Sequence, residues 1–85
     1  MIKPSIHRNG TSADTLLDSY VVAGQKIRDA LEALDDATPN ARDYYVQGDG
    51  AFDAAMAEHR KRINCLRGVL ADMQVLADHC ADGVQ

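Results

Sequence analysis

The chain has no tryptophan and a single phenylalanine, and aromatic residues make up only 5% of its 85 positions. A core organised around large rings is therefore excluded, and Leu, Val, Ile, Met and many alanines must fill the interior, which favours close helix packing over a sheet. Positive charge is also short, with 9 Lys and Arg against 13 Asp and Glu and a formal charge of −4. That balance argues against a general nucleic-acid binder, whose affinity comes from a basic footprint on phosphates. A small anionic ligand stays open, because it needs only local positive charge. No apolar run approaches the roughly 20 residues of a membrane span, and the opening MIKPSIHRNG has no apolar signal-peptide segment. No membrane association and a cytoplasmic location are expected. At this length the chain is one domain at most and leaves much of its surface exposed unless it finds a partner.

Proline is scarce as well, and its two positions punctuate the chain. Pro4 lies in an N-terminal arm, residues 1–11, and Asn9-Gly10 is a turn dipeptide. Thr11, Ser12 and Asp14 then supply a helix start of capping-box type. From there Leu16, Tyr20, Ala23, Ile27, Ala30, Leu34 and Ala37 alternate in steps of four and three, an apolar stripe opposite Asp18, Gln25, Arg28, Asp29, Glu32 and Asp36. Small side chains at Ala23 and Gly24 permit close backbone approach. Pro39 disfavours a helical Thr38 and ends this helix, placed at 12–37. After a loop at 38–49, with Asp49 as the expected N-cap, a second helix is placed at 50–82. Its apolar series is the most regular in the chain: Phe52, Met56, His59, Ile63, Leu66, Leu70, Met73, Ala77, Cys80.

The expected architecture is all-α: an antiparallel two-helix hairpin, residues 12–85, with an N-terminal arm and a long polar-aromatic loop. Two helices do not cover such wide stripes, so the hairpin is expected to pair with copies of itself into a helical bundle. Cysteine is the last scarce residue. Cys65 and Cys80 fall on one predicted helix about 22 Å apart at 1.5 Å per residue, out of disulfide reach. Both are expected to be reduced, buried, small hydrophobes.

Two stretches concentrate recognition chemistry. The loop PNARDYYVQGDG carries Arg42, Tyr44, Tyr45 and Gln47; a tyrosine there can stack a planar ring while the guanidinium forks onto a phosphate or carboxylate. The plainer alternative has one tyrosine plugging the bundle end and Arg42 paired with Asp43 or a helix C-terminus. In the arm, His7, Arg8, Asn9, Gly10, Thr11 and Ser12 run into a helix N-terminus, where orphan N–H groups and the dipole favour an anion. There too the plainer reading is simple helix capping. A hairpin puts arm and loop at opposite ends, so a pocket made of both requires a neighbouring subunit. His59 on the apolar seam reads as a satisfied core residue, and Glu58 and Arg62 stand in i,i+4 register. No nucleophile–base arrangement, metal-ligand spacing or cofactor motif is recognisable, so a non-enzymatic protein without metal or cofactor is expected.

The combination of IHRNGTS before the first helix, NARDYYVQG in the loop and AMAEHRKRINCLRGVLADMQVLADH in the second resembles a group of small phage and prophage helical-hairpin proteins. More loosely, in size and plan alone, the chain is similar to the phage anti-CBASS and anti-Thoeris sponge proteins. Those sequester cyclic-nucleotide or ADP-ribose signals of bacterial immunity between subunits. The resemblance implies a homo-oligomer in the host cytoplasm that captures a small anionic ligand such as a cyclic nucleotide. The alternative is a protein-interaction module, either an inhibitor of a host protein or a small structural phage component.

Overall fold

Both apolar stripes become long helices that pack lengthwise and antiparallel in the computed structural model, which describes residues 1–84; Gln85, the last residue of the expected hairpin, lies outside them. Helix α1 spans Ala13–Asp36 and helix α2 spans Ala51–Asp82, each starting one residue later than expected. No strand occurs among the described residues, and no helix is long and apolar enough to cross a membrane.

Local chemistry sets the helix ends, with two differences from expectation. Ser12 is the N-cap of α1, accepting from the Thr15 N–H at 3.2 Å while its own hydroxyl donates to Thr15 Oγ1 at 2.8 Å. The partner is thus Thr15 rather than Asp14, and it meets the Ser12 hydroxyl rather than its backbone N–H, so the cap is a side-chain cap and not the reciprocal box expected with Asp14. At the other end Ala37 caps α1 just before Thr38-Pro39. Asp49 does not cap α2. Two glycines on either side of it adopt positive φ, Gly48 at 103° and Gly50 at 85°, and the cap position passes to the left-handed Gly50 with no side-chain bond. Between the helices the chain is less irregular than its pattern suggests: it forms two short 3-10 turns, Ala41–Asp43 and Tyr45–Gln47.

The core is a single seam between two helices. Ala13, Leu76, Cys80 and His59 are buried, as is Gly24, while Leu16, Ile27, Leu34, Met56, Ile63, Leu66 and Leu70 are only half-covered. Ala30 and Ala37, expected on the apolar face, are exposed. Cys65 is exposed too, contrary to expectation, because it falls between the seam positions Ile63 and Leu66 and turns outward; both cysteines are free. Gly24 is informative. A Cβ there would stand 3.7 Å from Leu70 Cδ1 and 3.9 Å from Met73 Cβ, ordinary contact. The packing of α2 therefore does not require the gap, and the roughly 1 kcal/mol that a mid-helix glycine costs relative to alanine is not offset within the hairpin.

Magnitudes show how unfinished this seam leaves the molecule. The accessible surface is 6269 Å², against about 4,900 Å² for a compact protein of this mass. A radius of gyration of 18.6 Å and extents of 61 × 21 × 16 Å describe a rod, where a compact chain of this length has a radius of gyration of about 12 Å.

Candidate functional site

At one end of the rod the arm folds back over the C-terminal turn of α2. The Pro4 carbonyl accepts from His79 Nε2–H at 2.7 Å, and Ile6 packs so closely on Gly83 that a Cβ there would lie 3.1 Å from its Cγ1. The chain then turns, with the Gly10 N–H donating to the His7 carbonyl at 3.1 Å. The His7 ring lies directly over Gly10, where a Cβ would come within 2.7 Å of Nε2. His7 is thereby presented beside the N-terminus of α1. Arg8, Asn9 and Thr11 are exposed. Ser12 is different from the rest of this set, since its hydroxyl is engaged in capping α1.

At the opposite end the loop is built on Asn40, whose Oδ1 accepts the Arg42 N–H at 3.1 Å and starts the first 3-10 turn. That turn separates the two adjacent tyrosines by role. Tyr44 is half-buried, its ring tilted at 46° to Phe52 with centroids 6.4 Å apart, so it closes the end of the hairpin. Tyr45 is 75% exposed. Arg42 and Gln47 are exposed beside it. Among the described residues the ion pair within 4.0 Å is Glu58–Arg62, at 3.6 Å on α2; Arg42 does not pair with Asp43.

Beneath the loop, His59 is 5% exposed and its Nε2 lies 3.4 Å from Thr38 Oγ1. The Thr38 hydroxyl donates to the Asp35 carbonyl at 2.6 Å, which leaves its lone pairs to accept from His59. The imidazole is therefore a donor to Thr38 and not a base for it, and the pair holds the exit of α1 against α2. Among the described residues no three His, Cys, Asp or Glu side chains converge as metal ligands.

The arm set and the loop set stand at opposite ends of α1, which at 1.5 Å per residue is about 36 Å long. One protomer does not bring them together. Two features escaped the sequence reading. Val46, 75% exposed, extends the Tyr45 surface with a purely apolar side chain. A hollow of about 230 Å³ on one side of the helix pair is lined by Tyr20, Val21, Gly24 and Arg28 of α1 with Met73, Gln74 and Ala77 of α2. The mid-helix glycine was its one sequence signal. Comparison of the chain with protein-family models, curated proteins and solved structures gave no match.

Proposed function

We propose that this chain is a phage-encoded, non-enzymatic binding protein that works as a homo-oligomer in the host cytoplasm and holds a small anionic ligand between subunits. A cyclic signalling nucleotide is the ligand class it suits. The observation that carries this reading is the separation of the two polar sets, each with an exposed arginine, at opposite ends of a rod whose surface is too large for a finished monomer. An antiparallel neighbour would bring the loop of one hairpin to the arm of another. Tyr45, left free by the packing of Tyr44 on Phe52, would stack a base, while Arg42, Arg8, His7 and the N–H groups around Gly10 and Thr11 would hold phosphate. The purified protein, melted with a panel of cyclic nucleotides and ADP-ribose derivatives, should gain several degrees with one of them. Arg42→Ala should abolish that gain. No shift and no depletion of any compound would sink the reading.

A second reading, a protein-interaction module, is favoured by one observation: Tyr45 and Val46 are each 75% exposed at the tip of the loop. Adjacent aromatic and aliphatic side chains in that position suit a hot-spot anchor. Val46→Ser separates the two, since it should leave anion binding unchanged and release a host protein recovered in stoichiometric amount.

A further inference from the structure

The hollow at Gly24 does not belong to either end of the molecule. Its walls are mostly apolar, its volume of about 230 Å³ lies below the roughly 300 Å³ at which small-molecule pockets begin, and Arg28, Gln74 and Tyr20 supply the polar groups of its lining. Arg28 reaches back to within 4.0 Å of where a Gly24 Cβ would be and has no carboxylate within 4.0 Å among the described residues. Val21, beside the hollow, is 53% exposed. A space of this size and character takes the side chains of another helix.

We infer that this hollow is the self-association face, and that its occupant is α1 of a second copy, running antiparallel across a two-fold axis near Val21 and Gly24. Three observations converge on a second copy. The surface in excess of a compact monomer, about 1,400 Å², is more than the roughly 800 Å² that each partner of a stable complex buries. The hollow itself, with the buried Gly24 in its lining and the exposed Val21 beside it, is room for the Val21 of a helix packed against it. Charge complementarity decides the direction. Asp14, Val21 and Arg28 are spaced seven apart and share one stripe of α1, with an acid at one end and a base at the other. Across a two-fold axis at the middle of that stripe each Arg28 comes within reach of Asp14 of the second copy, twice over, whereas a parallel neighbour would set like charges together. The same operation carries the arm of one copy toward the loop end of the other.

This inference rests on the oligomeric reading of the preceding section, and the experiment separates the two. Native mass and sedimentation over a range of concentrations would be compared for the wild type, Val21→Asp, Gly24→Ala, Arg28→Asp, Asp14→Arg and the Asp14→Arg/Arg28→Asp double variant. Val75→Asp, at an exposed position outside the hollow, is the control, and far-UV circular dichroism checks helix content. Val21→Asp and each single charge reversal should raise the dissociation constant about tenfold or more, and the double reversal should restore it. Gly24→Ala, which fits inside the hairpin, should weaken association severalfold without loss of helix. An oligomeric wild type whose mass is unmoved by Val21→Asp and Gly24→Ala overturns this face and leaves the oligomer standing. Singly weakened variants that the double reversal fails to rescue overturn the antiparallel arrangement. A monomeric wild type overturns both readings.

Discussion

His59 interrupts an otherwise apolar seam, and its single polar contact explains why it is tolerated there. The imidazole is buried at 5% exposure with Thr38 Oγ1 at 3.4 Å, and Thr38 is itself anchored on the Asp35 carbonyl. The two partners are not equivalent on removal. Thr38→Val deletes the acceptor and leaves a buried N–H unsatisfied, so it should lower the free energy of unfolding by about 1–2 kcal/mol in a urea titration. His59→Leu removes the buried polar group itself while Thr38 keeps its bond to Asp35, and it should lie within about 1 kcal/mol of the wild type. Tyr44 and Tyr45 give the same lesson on the loop. Adjacent in sequence, one packs on Phe52 and the other projects into solvent.

Among the elements, the arm depends on the fewest contacts. It is held by the His79 bond to the Pro4 carbonyl and by Ile6 lying against Gly83, over an end of α2 where Cys80 is fully buried. His79→Ala removes the bond and should let the arm lift from α2 several times more often, since one hydrogen bond contributes about 1 kcal/mol. Trypsin cleavage after Arg8 should accelerate by about fivefold while global unfolding in urea changes little. Equal cleavage rates in the two proteins would mean that Ile6 and the turn at Gly10 hold the arm without the histidine.

For the molecule as a whole, the two helices complete one seam and leave their flanks half-covered. A rod with an 18.6 Å radius of gyration has little interior to set against the entropy of ordering its chain. Stability should then depend on assembly. The melting temperature of the wild type should rise by several degrees between about 1 and 100 µM, as binding to the folded state alone requires. The monomeric variants of the groove should lose that dependence. A melting temperature independent of concentration in the wild type would show that the single seam is sufficient.

The sequence by itself determined the two helices, their antiparallel pairing and their ends to within a residue. A four-three apolar period, a Ser cap, Pro39 and a pair of glycines act through local backbone chemistry that does not wait for tertiary contacts. Periodicity, however, reports which side of a helix is apolar and not how much of that side a partner covers. Only the tertiary structure decided that Cys65 and Ala30 stay exposed, whereas the bond of Ser12 to Thr15 and the left-handed Gly50 that caps α2 are local details that residue types alone left open. The candidate site divided along the same line. Its residue types were legible in the arm and the loop, but the packing of Tyr44 on Phe52, the resulting freedom of Tyr45 and Val46, and the hollow at Gly24 depend on distances between side chains of different elements. Those distances exist only once the two helices are set against each other.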